Sequence, residues 1–169
     1  MINAIKKRRS VRKFSEKKVE LEIVSELLKS AMQAPSAGNQ QPWEFVIIDD
    51  KSQLEALSNM SPYAKFLKDA PLAIVVVGNK NNMKFPENWE QDLGAATQNI
   101  LLEATEHDLG STWLGVHPLS DRINHVKNII NCPKNIKPYC VIAIGYPAST
   151  GANHFVDRYD KERVHYNKY

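Results

Sequence analysis

The chain has 169 residues, an apolar share of 43%, a charged share of 24% and a formal net charge of +3. That is one ordinary domain of globular composition, long enough to bury about two thirds of its unfolded surface. The longest apolar run, Leu72 to Val77, is far short of the ~18 residues of a membrane span. The first dozen residues lack the apolar centre of a secretory signal, so no membrane role and a cytoplasmic location are expected.

Asn3 is a candidate N-cap for a short helix through Arg8, with Ile2 and Ile5 on its apolar side. Between Val19 and Ala34, Ile23, Val24, Leu27, Leu28, Ala31 and Met32 recur every three or four residues. That spacing is one helical face, and Pro35 ends it. Ser36 to Asn39 has turn chemistry, and the aromatic and β-branched stretch Trp43 to Ile48 predicts a strand. Ser52 to Glu55 reads as a capping box opening a helix through Asn59. Tyr63 to Lys68 predicts another helix, stopped by Pro71. The continuous apolar run Leu72 to Val77 predicts a strand covered on both faces.

Lys80 to Glu87 is a polar loop. Asn88 then caps a helix from Glu90 to Leu109, with Leu93, Thr97, Ile100, Leu101 and Ala104 inward and Gly110 in the terminal glycine position. Ser111 to Val116 predicts a strand, Ser120 caps a helix that Pro133 closes, and Tyr139 to Ile144 is the last strand. The whole reads as one α+β domain over residues 1–169. The tail from Gly145 carries Tyr146, Phe155, Tyr159, Val164, Tyr166 and Tyr169 without a helical period. Rings spaced along such a tail must bury somewhere, and a second copy of the chain is the simplest place.

Templates for side-chain chemistry fail. Cys132 and Cys140 are too few for a disulfide framework, and His107, His117, His125, His154 and His165 never fall at i, i+4. No metal site is expected. No nucleophile elbow, Walker loop or Gly-x-Gly-x-x-Gly appears. Asp49-Asp50 sits where acids offset a helix dipole, and Asp92, Glu103 and Glu106 read as solvated helix faces. An enzyme without its own acid, base or nucleophile delegates chemistry to a cofactor, although a non-enzyme would look the same.

Basic residues cluster at Lys6, Lys7, Arg8, Arg9, Arg12 and Lys13, and again at Arg158, Lys161 and Arg163. A solvated face, a nucleic-acid surface and a site for one phosphate group are the three readings. In an extended segment Arg8, Ser10 and Arg12 project to one side, and arginine forks match phosphate oxygens. A nucleic-acid surface needs more stacking rings than Phe14 alone, and Glu16, Glu20, Glu22 and Glu26 would repel a polyanion. The single phosphate is favoured, and no nucleic-acid partner is expected.

These residues carry a family likeness. Arg8-Arg9-Ser10-Val11-Arg12-Lys13-Phe14 resembles the opening motif of the nitroreductase family of FMN enzymes. Ala34 to Phe45, reading APSAGNQQPWEF, is similar to its second signature. Asp69-Ala70-Pro71 before an apolar strand, Gly94 to Asn99 leading to Leu109 to Gly115, and the ending Arg158 to His165 follow in the family's order. The likeness spans the chain, which resembles a short member.

The resemblance implies an α+β three-layer sandwich, a mostly antiparallel sheet with flanking helices, in an intertwined homodimer with two FMN sites. By position, Arg8, Ser10 and Arg12 would hold the phosphate and ribityl chain, with Arg12 also reaching the pyrimidine edge of the flavin. Arg9 would make a neighbouring backbone contact. Pro35, Ser36, Ala37 and Asn39 would come from the partner subunit and wall the ring. Leu114, Gly115 and Val116 would lie along the ring, with a backbone N–H near Val116 or His117 facing N5; core packing is the competing reading for Leu114 and Val116, and the expected one for Trp43. Arg158 would close on the phosphate, with Lys161 or Arg163 as substitutes. Lys80 to Asn88, with Phe85 or Trp89, would cover the ring. The implied reaction is ping-pong hydride transfer from NADH or NADPH through flavin N5 to a small acceptor such as a nitroaromatic or quinone. A flavin-binding module without turnover is the alternative.

Overall fold

The predicted doubly covered strand forms β2 (Leu72–Asn79), at the centre of a computed structural model that describes residues 1–169. Its side chains alternate between two cores. Leu72, Ile74 and Val76 face one, Ala73, Val75 and Val77 the other, and none of the six exceeds 4% exposure. β2 pairs antiparallel with β1 (Trp43–Ile48) and with β4 (Ile136–Gly145), and β3 (Gly110–Gly115) completes the order β1-β2-β4-β3.

Helices cover both faces. On one side α2 (Leu21–Met32) buries Val24, Leu27 and Ala31 beside Leu93, Ala96, Ile100 and Ala104 of α4 (Trp89–Glu106). Trp43 joins this core, as expected. On the other side lie α3 (Lys51–Ser58), the 3-10 segment Pro62–Asp69 and α5 (Ser120–Ile129), contributing Leu54, Leu57, Ala64, Leu67 and Val126. The three-layer α+β sandwich with an antiparallel sheet is borne out.

Helix starts differ from the sequence reading. Asn3 lies inside α1 (Asn3–Lys7), whose N-cap is Ile2 with no side-chain bond. Asp50 caps α3 instead of Ser52, its carboxylate accepting from the Gln53 amide at 2.9 Å. A carboxylate both satisfies that orphan donor and offsets the helix dipole, so it outcompetes a hydroxyl two residues on. Ser120 is the first residue of α5 and Leu119 its cap.

Gly110 has a different role from the one predicted. The left-handed residue after α4 is Asp108, at φ +56°. Gly110 begins β3, and a Cβ there would lie 2.6 Å from Val11 Cβ. The glycine makes room for the segment after α1, which runs beside β3: Ser10 bridges Ser111 in parallel, and the Val11 amide donates to the Ser111 carbonyl at 3.0 Å. The Thr112 hydroxyl donates to the Val11 carbonyl, and Phe14 bridges Pro147. Val11 is buried while Ser10 and Arg12 are exposed, which is the alternation of an extended strand.

The tail forms one turn, Lys161–Arg163, and residues 154–169 lie exposed on the single chain. Gly110→Ala should destabilise the chain by about 1–3 kcal/mol in urea, the usual range for overpacking. Gly115→Ala is the control, because nothing lies within 4 Å of a Cβ added there. Equal unfolding midpoints for the two variants would contradict the Val11 seat.

Candidate functional site

Cations collect where α1 ends. Arg8 is half-buried, and its guanidinium is pulled below the usual pKa range, first by burial and then by the charges of Arg9 and Arg158. Three arginines therefore share one neighbourhood, and none of Arg8, Arg9, Arg12 and Arg158 pairs with a carboxylate. Like charges held together without a counter-charge favour an anion among them. Of the tail cations, Arg163 is taken by Asp160 at 3.1 Å, which leaves Arg158 as the one whose charge bears on Arg8. Arg9 turns back on its own helix, donating to the carbonyls of Arg8 and Lys6, while its Nε is buried without a partner. Ser10 is exposed beside Ser111, whose buried hydroxyl also has no partner.

The far end of β3 is built from backbone. In an antiparallel strand alternate residues point their amides to one side. Val116 bonds back to β4 through Tyr139, and Ser111 bonds away from it to Val11. By that alternation the main chain of Trp113 and Gly115 points outward, and the Gly115 carbonyl accepts from Arg122 Nη1 at 2.8 Å. Gly115 is exposed, with open space where a side chain would stand. Leu114 and Val116, at 8% and 0% exposure, are packed in the second core and support this shelf from below. The predicted free N–H of Val116 or His117 is not there: both donate to the Tyr139 carbonyl, at 3.1 and 2.9 Å. A bend at the end of β3 turns two successive amides onto one acceptor, which strand alternation alone would not anticipate.

His117 stands edge-on to Trp89 with ring centres 4.8 Å apart, and its Nδ1 lies 3.4 Å from Glu90 Oε1 without hydrogen-bond geometry. Tyr139 packs between Trp89 and Trp113, and burial pushes its phenol up to about 12, so it keeps its proton. Trp89 itself is 4% exposed in the first core. It is therefore a structural residue, and of the two rings expected to cover a ligand only Phe85 is free to do so.

The turn after Pro35 is the third component. Pro35 and Asn39 are exposed, Ser36 and Ala37 half-buried. Gly38, Asn39 and Gln41 adopt φ of +53°, +55° and +46°. Side chains hold this backbone. Asp92 accepts from the Ala37 amide at 2.9 Å and from Gln40 Nε2 at 2.6 Å. The Gln40 amide also grips Phe85, donating to its carbonyl at 3.1 Å and accepting from its N–H at 2.8 Å. The Ser36 hydroxyl accepts from the Gln41 amide at 3.0 Å. The Phe85 ring lies against Gly38, where an added Cβ would collide with Cε2.

Asp92 is 4% exposed, so the solvated-face reading is corrected. The signal was present: Asp92 sits three residues after Trp89 and four before Ala96, on the stripe that α4 buries. Gln40, 6% exposed, had no such signal.

The Nitroreductase family model matches residues 5–62 and 53–146. A relative from Methanothermobacter thermautotrophicus, provisionally named NADH dehydrogenase/NAD(P)H nitroreductase, is 38% identical over 169 residues, covering 100% of this chain and 87% of its own. A crystal structure from Clostridium acetobutylicum, provisionally called an NADH oxidase, superposes with a TM-score of 0.95 at 51% identity over 99% of this chain and all of that one. An FMN-dependent nitroreductase from Clostridium difficile gives 0.90 at 34% identity, with 100% of both chains covered. Likeness of this extent, in sequence and in fold, shows that the chain belongs to the nitroreductase family.

Proposed function

We propose that this chain is an FMN-dependent oxidoreductase that works as a homodimer. The observation that carries the reading is the unneutralised group Arg8, Arg9 and Arg158 at the head of the strand that ends in the open shelf of Gly115. From Ser111 to Gly115 the strand spans about 13 Å at ~3.3 Å per residue, enough to separate a phosphate from a flat ring. Bound FMN would supply ping-pong hydride transfer through its N5, from NADH or NADPH to a small acceptor such as a nitroaromatic or quinone.

The chain's own residues would bind and orient. Arg8 and Arg158 hold the phosphate by charge-assisted hydrogen bonds, and the exposed Ser10 hydroxyl adds a neutral donor. Arg9, already bonded to Lys6 and Arg8, keeps the end of α1 in place and adds charge. Arg12, exposed and unpaired, is the cation available to the pyrimidine edge of the ring, where positive charge favours electron uptake. Gly115 gives the ring room, with Leu114 and Val116 keeping the shelf rigid beneath it. Pro35, Ser36, Ala37 and Asn39 form a wall for the partner subunit's flavin. The dimer is supported by apolar surface that one protomer leaves in water: Ile2 at 69%, Leu21 at 76%, Tyr159 at 79% and Tyr166 at 84% exposure.

The purified chain should be yellow, absorbing at about 450 nm as flavins do, and should bleach rapidly with NADH or NADPH under anaerobic conditions. Binding without bleaching would reduce the protein to a flavin store. Arg8→Ala and Arg158→Ala should each leave a folded dimer but weaken FMN by about 1.5–3 kcal/mol, the range for a hydrogen bond to a charged group. Unchanged FMN affinity in both would remove the phosphate site. Gly115→Ala should melt like wild type without flavin yet bind FMN more weakly; a wild-type affinity would place the ring elsewhere.

A further inference from the structure

Asp92 is the only charged side chain among the buried residues of the protein. A carboxylate taken out of water is destabilising unless its oxygens are satisfied, and an apolar residue would fill the same space more favourably. Both Asp92 oxygens are committed, one to the Ala37 amide and one to Gln40 Nε2. The bonds lead away from the core. Gln40 passes the constraint on to both backbone groups of Phe85, and Phe85 lies over Gly38 in the same turn that Asp92 holds through Ala37. The result is a closed loop of contacts from α4 to the turn, to the Phe85 segment and back. It fixes a backbone with three residues at positive φ, two of them not glycine, that would otherwise be sparsely populated.

We infer that Asp92 and Gln40 are positioning residues that shape the 35–39 turn and the Phe85 segment, before any ligand arrives, as one rigid wall for the flavin ring. The inference rests on the flavin reading above and extends it to residues that touch no ligand. Ordering the wall in advance removes an entropic cost from binding. Because the clamp touches the ring wall and not the arginine group, its contribution falls on the ring half of the ligand. Arg8 acts on the phosphate half. The two halves separate experimentally, since riboflavin carries the same ring without the phosphate.

The variants are Asp92→Asn and Gln40→Ala, compared with Arg8→Ala. An asparagine at 92 keeps an oxygen for the Ala37 amide but turns an NH2 group toward the NH2 of Gln40. Gln40 cannot reverse its amide without losing the Phe85 N–H. Both clamp variants should bind FMN and riboflavin more weakly by the same factor, on the order of 10-fold for one charge-assisted bond. Their FMN-to-riboflavin affinity ratio should stay at the wild-type value, whereas Arg8→Ala should lower that ratio. In the flavin-free chain, the Phe85 amide should exchange with deuterium faster in both clamp variants than in wild type. A purely structural role would lower the melting temperature without this ring-specific loss.

Riboflavin affinity equal to wild type in both clamp variants, or unchanged protection of the Phe85 amide, would overturn the inference while leaving the flavin reading intact. A fall in the FMN-to-riboflavin ratio like that of Arg8→Ala would also overturn it, because the clamp would then act on the phosphate. If Asp92→Asn fails to fold, Gln40→Ala carries the same comparison. A wild-type chain that binds neither flavin would overturn the function and this inference together, a result no variant is needed to recognise.

Discussion

The seating of Val11 over Gly110 places everything that follows. Gly110 starts β3, and the missing side chain lets Val11 approach to where a Cβ would have stood. Once Val11 is buried there, the segment must run extended beside the strand, and the period of two sends Ser10 and Arg12 to the opposite side. Arg8 and Arg9 are then held at one end of β3 while Gly115 lies at the other. A side chain at 110 would shift this register, and the cations with it. The position of the anion-favouring group is therefore a packing result before it is an electrostatic one.

Much of the fold could be read from the chain because its strongest signals are local. Leu72 to Val77 is apolar at every position, and its short length and β-branched Ile74 to Val77 suit a strand covered on both faces. The stripe through Val24, Leu27 and Ala31 reported the buried face of α2, although Met32 on the same spacing lies exposed at the end of the helix. Caps were less legible, since Asn3, Asp50, Ser52 and Ser120 are all acceptable caps, and a shift of one or two residues turns on small energies. Gly110 was misassigned for a nonlocal reason: the residue that requires it, Val11, lies about a hundred positions earlier in the chain, and sequence spacing carries no trace of that contact.

The candidate site divides the same way. The outward placement of Ser10 and Arg12 on either side of buried Val11 is legible from alternation alone. The approach of Arg158 to Arg8 is not, because it depends on the path of the chain after β4. The rule that charged residues face water does not hold at Asp92, whose spacing from Trp89 and Ala96 points inward. The rule fails where a carboxylate has two good donors, here the Ala37 amide and the Gln40 side chain. The backbone donors at Val116 and His117 failed in the opposite direction. Counting along a strand exposes every second amide, but the chain turns after Gly115 and spends both on Tyr139.

Charge is distributed unevenly between the two ends of this region, and the difference follows from burial. At the arginine end, three cations share one neighbourhood without a carboxylate, so the folded chain retains unfavourable like-charge repulsion that an incoming anion would relieve. At the turn, the single buried carboxylate has a donor from within the chain on each oxygen and is shut off from solvent by burial. One end is incomplete and suited to grip; the other is complete and suited to hold a shape. At its far end β3 presents Gly115 and main chain, a surface that can lie against a planar group because no side chain stands up at that position. On the proposed reading, an arrangement of this kind would select a ligand by its outline, charged at one end and flat at the other, and would leave the reacting atoms to the ligand itself.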